Sequence, residues 1–211
     1  MPGKKPTYAF IDASNLFYGG EKSLGWKIDY RKLIKYLRQK YEVVEVYYFG
    51  GIEIKDFEYD YLKNETVPLI KLEEYFRKLI KNRKRILKEV ELIILHRYLQ
   101  RVRFYLKLKQ FGYNLKIKPV KFYKGSDGLI EKKANCDVEM TFYLMKEKEN
   151  FGRVLILSGD GDFLPVLKYL RGIGKEVIVL ARGTRTAKEI RQFAAERFTD
   201  FTRLEKYLKF E

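Results

Sequence analysis

The chain alternates between short apolar runs and stretches with helical spacing, and this alternation restricts it to few folds. Five runs have the length and composition of strands. In most of the stretches between them, apolar residues recur every three or four positions, which predicts helices. Strands that alternate with helices form a parallel sheet covered by helices on both faces. The predicted strands are TYAFID, VVEVYYFGGI, NLKIKPVKFY, RVLILSGD and KEVIVLA.

Local features refine this α/β prediction. Asp29 precedes YRKLIKYLRQKY and is predicted to cap its first turn. In the third strand lysines alternate with apolar residues, and Pro119 interrupts the run, so we expect an edge strand. The segment KGSDGLIEKKAN that follows is predicted to be a loop. The last helix is predicted over TAKEIRQFAAERF.

One long stretch departs from the alternation. Residues 69–111 contain neither Gly nor Pro and keep helical spacing. A single helix of about 40 residues is roughly 60 Å long, so it either projects from the body or folds back as a hairpin. We expect its second half to be the crossover helix before the third strand. The predicted domains are a sheet domain of residues 1–52 and 96–211, and a helical insertion of residues 53–95.

The insertion carries an apolar stripe that a compact sheet domain cannot cover. An exposed stripe of that length promotes association. It could be buried in a hairpin, or against the same helix of a second chain. Because the run lacks Gly and Pro, a tight turn inside it is disfavoured, and we expect a homodimer through the helical insertion.

The charge balance favours a polyanionic partner. Lys and Arg exceed Asp and Glu by 44 − 28 = 16, and such an excess attracts nucleic acid, although a merely solvated cationic surface is the alternative. The densest basic run, KNRKR, is either a solvated helix face or a phosphate-binding one. Two further arginines follow the fifth strand. The candidate RNA-binding residues are Arg83, Lys84, Arg85, Lys133, Arg182 and Arg185.

Four aspartates are expected at one edge of this basic protein. Asp12 ends the first predicted strand, Asp160 ends the fourth, and Asp162 begins the helix after it. Asp137 lies near the start of the preceding helix. The carboxyl ends of parallel strands form a crevice, so the four side chains could converge there. Crowded carboxylates repel one another, which raises their pKa values, and a bound divalent cation removes this repulsion. Mg²⁺ and Mn²⁺ prefer such oxygen ligands.

Each aspartate also has an ordinary structural explanation. Asp162 fits the N-cap of a helix. Asp12, followed by Ser14 and Asn15, fits a turn in which the Asp side chain bonds to the backbone. The recurrence of acids at one sheet edge, combined with the basic charge, favours the metal site.

Three motifs resemble the NYN domain family, the LabA-like branch of the PIN-like nuclease superfamily. They are FIDASNLFY, KKANCDVEMTFYLM and LILSGDGDFLPVLKYLRGIGKEVIVL, and the similarity covers about residues 7–52 and 96–200. It implies a PIN-like sheet and Mg²⁺- or Mn²⁺-dependent cleavage of RNA. The acidic cluster of the family, catalytic and metal-binding, then falls on Asp12, Asp137, Asp160 and Asp162. Asn15 would orient a metal-bound water or a phosphate, and Ser158 would fix the loop.

The chain departs from the family at two positions. Members often carry a second Asp six residues after the position of Asp137, and here Tyr143 stands there. A Gly before the second motif is here Ala134. The first hypothesis is a metal-dependent ribonuclease. The alternative is a non-catalytic RNA-binding or scaffold protein of the same fold, which the change at Tyr143 keeps open.

Other classes of function are excluded by what the sequence lacks. With one histidine, His96, and one cysteine, Cys136, a zinc site built from cysteine and histidine ligands cannot form, and a structural or surface role is expected for His96. No P-loop motif occurs. The single cysteine predicts a reducing compartment, and the absence of an apolar leader or an 18-residue apolar run predicts a cytoplasmic protein with no membrane span. Abundant Lys, Glu and Arg with little Asn and Gln suit a thermophile.

Overall fold

The computed structural model describes residues 5–16, 24–83, 88–124 and 130–211. It contains two compact units. The sheet unit consists of Met1–Phe49, Phe111–Asn114 and Cys136–Glu211, and the helical unit consists of Gly50–Gln110 and Leu115–Asn135. Each unit is a part of the chain that is compact by itself. The division into a sheet domain of residues 1–52 and 96–211 and an insertion of residues 53–95 stays a prediction.

A six-stranded sheet organises the fold. Its order is β3-β2-β1-β6-β7-β8, and β1 pairs in parallel with both β2 and β6, as β7 does with both β6 and β8. The predicted α/β class is confirmed, with one strand more than the five expected. The strands are β1 (Thr7–Asp12), β2 (Val43–Ile52), β3 (Asn114–Pro119), β6 (Arg153–Leu157), β7 (Glu176–Ala181) and β8 (Phe198–Asp200).

The central strands are buried because helices pack on both sides of them. Apolar side chains on β1, β6 and β7 share one core with side chains of the helices α4, α5 and α6. Asp29 caps α1 by accepting hydrogen bonds from the backbone N of Arg31 and Lys32, as predicted. The helices of the sheet unit are α1 (Tyr30–Tyr41), α4 (Asp137–Lys146), α5 (Leu164–Gly172), α6 (Lys188–Ala194) and α7 (Glu205–Leu208).

The sixth strand occupies the end of a predicted helix. The sequence pattern predicted helix through Phe198, but α6 ends at Ala194 and Ala195 has a positive φ of 47°. A short 3-10 turn follows, and β8 then pairs with β7. A three-residue strand is too short to produce a recognisable alternation, which explains why it was missed.

At the other side of the sheet, β3 is an edge strand, as Pro119 predicted. The strand ends at this proline, which cannot donate a ladder hydrogen bond. The chain continues as β4 (Lys121–Lys124), which pairs antiparallel with β5 (Ile130–Lys133) in a separate two-stranded sheet. The prediction of a loop throughout KGSDGLIEKKAN was therefore wrong for its second half.

The helical unit contains a helical hairpin rather than one long helix. Helices α2 (Leu69–Arg83) and α3 (Glu89–Phe111) run antiparallel, with Arg103 Nε donating to Glu73 Oε1 at 3.1 Å and the rings of Phe76 and Tyr98 at 5.9 Å. The sequence left open a projecting helix or a hairpin, and the described residues form the hairpin, although the lack of Gly and Pro disfavoured a tight turn inside the run. None of the described helices is long and apolar enough to cross a membrane.

Candidate metal centre

The predicted site lies where three neighbouring strands end. β1 ends at Asp12, β6 ends just before Ser158, and β7 ends just before Arg182. Because β6 pairs in parallel with both β1 and β7, these three ends lie at the same edge of the sheet. Open parallel sheets bind ligands at this edge.

Asp12 is a buried carboxylate held by short-range hydrogen bonds. It is 4% exposed. Its Oδ1 accepts from the backbone N of Ser14 at 2.9 Å, from Ser14 Oγ at 2.7 Å and from the backbone N of Asn15 at 3.3 Å. Its Oδ2 accepts from Ser158 Oγ at 3.3 Å. Burial raises the pKa of Asp12, and these hydrogen bonds partly oppose the rise. One oxygen therefore serves the local turn, and the other reaches the turn after β6.

Asp160 caps the turn that follows β6. Its Oδ1 accepts from the backbone N of Asp162 at 3.0 Å, at the start of a 3-10 turn over Gly161–Phe163. The cap that the sequence assigned to Asp162 thus falls on Asp160, because helical structure begins at Gly161. The backbone N of Asp160 donates to Ser158 Oγ at 3.3 Å. The Ser158 hydroxyl therefore connects Asp160 to Asp12.

Asn15 and Gly159 tie three loops together. The backbone N of Gly159 donates to Asn15 Oδ1 at 3.0 Å, and the Gly159 carbonyl accepts from the backbone N of Ala187 at 2.9 Å. A Cβ on Gly159 would lie 2.6 Å from Thr186 Oγ1, so this close approach requires glycine. Asn15 thereby fixes the position of the acidic turn, a contact that its predicted role toward water or phosphate did not include.

Three of the four predicted carboxylates come together. Asp137, Asp160 and Asp162 each offer an oxygen, and these oxygens lie within 4.8 Å of one another. Asp12 is not in this group and is joined to it through Ser158. Within the described part of the chain, neither Asp160 nor Asp162 forms an ion pair. The arrangement concentrates negative charge at the start of α4 and in the turn after β6.

Tyr143, which replaces a frequent aspartate of the family, belongs to the hydrophobic core. Its ring is buried, 5.8 Å from the centroids of both Tyr47 and Phe49. The replacement therefore adds aromatic packing beneath the sheet edge.

The predicted basic residues divide into two groups. Arg182 and Arg185 follow β7 at the edge that carries the acids. Nε and Nη1 of Arg182 are buried and have no hydrogen-bond acceptor among the described residues, while Arg185 is exposed. Lys84 and Arg85 lie outside the described residues, and so do the side chains of Arg83 and Lys133.

Glu189 is a further acid near this site, and none of the sequence motifs indicates it. It lies in the first turn of α6, and a Cβ on Gly161 would overlap its Oε1. Its carboxylate is therefore packed against the residue between Asp160 and Asp162. Its place in the first turn of the helix after β7 could have revealed it, since such a turn lies near the carboxyl edge of the sheet.

The fold and the site define an α/β protein with a candidate divalent-cation site at the carboxyl edge of a parallel sheet. The NYN domain model matches residues 6–205, and the chain belongs to the NYN domain family. The predicted family is thus confirmed.

Two known proteins are similar to this chain over nearly its whole length. Low amplitude and bright protein LabA of Synechococcus elongatus is 24% identical over 204 residues, which cover 95% of this chain and 86% of that protein. The crystal structure of VPA0982 from Vibrio parahaemolyticus, a protein of unknown function, superposes with a TM-score of 0.61 at 18% identity, covering 99% of both chains. At that identity the second similarity concerns the fold alone.

Proposed function

We propose that this protein is a metal-dependent ribonuclease that cleaves RNA phosphodiester bonds at the carboxyl edge of its sheet. The observation that supports the proposal is the approach of Asp137, Asp160 and Asp162 to within 4.8 Å in a chain of net charge +16. Like charges brought so close destabilise the fold unless a cation or a proton compensates them.

The donor set fits Mg²⁺ or Mn²⁺. Two oxygens bound to one such ion at about 2.1 Å are at most about 4.2 Å apart, so small side-chain rotations would let the three acids share an ion. A bound ion would neutralise the cluster and supply Lewis-acid activation of a water and of the phosphate. Asp137, Asp160 and Asp162 would hold it. That Asp12 also binds the metal stays a prediction.

The remaining residues of the site would keep these acids in place. Asp12 holds the Ser158 hydroxyl, which in turn accepts from the backbone of Asp160. Asn15 holds the backbone N of Gly159. Both contacts fix the turn that carries two of the three ligands, which limits the reorganisation needed when substrate binds.

Arg182 and Arg185, which follow β7 at the same edge, would bind the phosphates of the RNA. The two buried N–H groups of Arg182 that lack acceptors in the described residues would gain them from a phosphate. The exposed Arg185 would contact the neighbouring phosphate. For Lys133, Arg83, Lys84 and Arg85, RNA contact stays a prediction from the sequence.

The experiment is incubation of the purified protein with labelled single-stranded RNA, structured RNA and DNA in Mg²⁺, Mn²⁺ or EDTA. We expect cleavage of RNA with either metal and none in EDTA. Cleavage that is unaffected by EDTA would overturn the metal site. RNA binding without cleavage in any metal would favour the non-catalytic alternative.

We also propose a cellular location and an oligomeric state for this protein. One is cytoplasmic location, which the single buried Cys136 supports. The other is a homodimer through the helical unit. The hairpin buries much of its apolar stripe, but Val90, Ile93 and Ile94 stay exposed in the first turns of α3. Light scattering tests this proposal: an Ile93→Lys change should convert dimer to monomer, and a monomeric parent would remove it.

A further inference from the structure

An exposed apolar stripe runs along the helix that begins with Asp137. Val138 is 76% exposed and Phe142 is 57% exposed. They are four residues apart on α4, so they lie on the same face. The helix packs into the core through other residues, which are Met140, Tyr143 and Leu144. The stripe is therefore not used to fold the sheet unit.

The stripe ends in a cation beside an aromatic ring. The ring of Phe142 meets that of Tyr143 edge-on at 5.3 Å, and Lys146 Nζ lies 5.8 Å from the Phe142 centroid. Tyr143 is buried, so it supports the exposed ring from below. An exposed aromatic ring with a neighbouring ammonium group suits a nucleotide, whose base can stack while its phosphate meets the cation.

The same helix connects this stripe to the acidic cluster. Asp137 is the first residue of α4 and one of the three clustered acids. Phe142 lies five residues further on, about 7.5 Å along the helix axis and about 140° around it, on the flank that Val138 also occupies. A strand whose phosphate lies at the cluster could therefore cross the helix over Val138 and place a following base on Phe142.

We propose that Val138, Phe142 and Lys146 form a stacking platform for an unpaired base beside the phosphate held at the acidic cluster. The substrate class is therefore single-stranded RNA or an unpaired loop. Bases within an A-form duplex are stacked on one another and cannot reach such a platform. This inference rests on the proposed function, since it places the platform next to the cleaved bond.

The test measures binding without cleavage. In an Asp160→Asn background, Phe142→Ala is compared with Phe210→Ala, because Phe210 is 60% exposed and lies near the C-terminus outside α4. Affinity is read by anisotropy with fluorescein-labelled single-stranded RNA and with a duplex of equal length. Phe142→Tyr, which keeps the ring, serves as the conservative variant.

Phe142→Ala should weaken single-strand binding roughly five- to hundredfold, the range for losing one base–aromatic stack. Duplex affinity should stay unchanged, and Phe142→Tyr and Phe210→Ala should bind like the background. Equal losses for single strand and duplex, equal losses for the two alanine variants, or no single-strand binding by the background protein would each overturn the platform.

Failure of this inference can be told from failure of the nuclease proposal. A parent protein that cleaves RNA while Phe142→Ala binds normally removes the platform alone. A parent that cleaves nothing while Phe142→Ala loses single-strand affinity removes the nuclease and leaves a binding platform. An altered oligomeric state of Phe142→Ala in light scattering, with RNA affinity unchanged, would reassign the stripe to a contact between copies.

Discussion

The carboxylates at the two edges of the parallel sheet have different neighbours, cations at one edge and other acids at the second. At the amino edge, β7 begins with Glu176, which faces cations: Arg153 Nε lies 2.9 Å and Arg197 Nε 3.6 Å from its oxygens. At the carboxyl edge, Asp160 and Asp162 face Asp137, with oxygens within 4.8 Å. The first arrangement pairs one acid with two arginines, whereas the second brings three acids close to one another.

This difference separates a structural acid from a candidate ligand. Burial alone raises the pKa of Glu176, but the hydrogen bond and charge of Arg153, with the charge of Arg197, outweigh it and the pKa is lowered. Glu176 therefore stabilises the folded state. The acids at the carboxyl edge cannot do so by pairing with one another. Under the proposed function, a divalent cation would be shared by these three acids, because carboxylate oxygens are the ligands that Mg²⁺ and Mn²⁺ prefer.

The largest effect is expected for Asp160→Asn. The amide keeps the cap on Asp162 but removes a charged ligand, so metal-dependent RNA cleavage should fall more than about hundredfold, since even outer partners of metal ligands contribute 10- to 100-fold. The melting temperature should stay the same or rise, because repulsion is relieved. Gel assays and thermal melts measure both.

Asp200→Asn is the matched control for that change. Asp200 ends β8 and caps a 3-10 turn with its Oδ1 3.0 Å from the backbone N of Thr202, the same geometry as at Asp160. It lies outside the acidic cluster. Cleavage should therefore survive Asp200→Asn. Equal activity in the Asp160→Asn variant and the parent would place the chemistry elsewhere.

Much of the carboxyl edge could be predicted because its features are local in sequence. The SGDGDF turn directly follows a buried apolar run, and Asp12 ends another, so the alternation of strands and helices sufficed to bring them to one edge. The partners of each oxygen could not be predicted. That Ser158 lies between Asp12 and Asp160, or that Glu189 lies against Gly161, depends on how separate loops pack.

In the helical unit, the sequence predicts where the helices lie but not how they pair. Its spacing predicted helix correctly over residues 69–83 and 89–111, but left open whether the two stretches pair as a hairpin. That choice depends on contacts such as Phe76 with Tyr98 and Glu73 with Arg103, and periodicity along one helix contains no information about its partner. Short strands such as β5 and β8 were missed because they pair through their backbones and have too few residues to show a pattern.

A smaller effect is expected on adding metal to the intact protein. If the cluster binds Mg²⁺ or Mn²⁺ in the folded state only, an ion at 100 times its Kd should raise the free energy of unfolding by about 2.7 kcal/mol. Thermal melts at rising metal concentration should shift upward by several degrees for the parent and for Asp200→Asn. Asp160→Asn should lose most of the shift. An equal shift in all three proteins would mean that metal binds away from the cluster.

The smallest effect concerns the amino edge. Because the pKa of Glu176 is lowered from its ordinary value of 4.5, its contribution to stability is complete above that value and is lost as the pH falls through the lowered pKa. The Glu176 side chain is 38% exposed, so solvent screening limits this contribution to about 0.5–1 kcal/mol.

Glu176→Gln should reduce the free energy of unfolding by that amount at pH 7 and by less as the acid is protonated. Urea melts at pH 7 and pH 3.5 measure the difference, with Glu205→Gln as the control, because among the described residues Glu205 forms an ion pair with Lys209 alone, just after the end of α7. RNA cleavage at pH 7 should be unchanged in both variants. Loss of cleavage in Glu176→Gln would contradict the separation of the two edges, since it would give the neutralised acid a part in the chemistry.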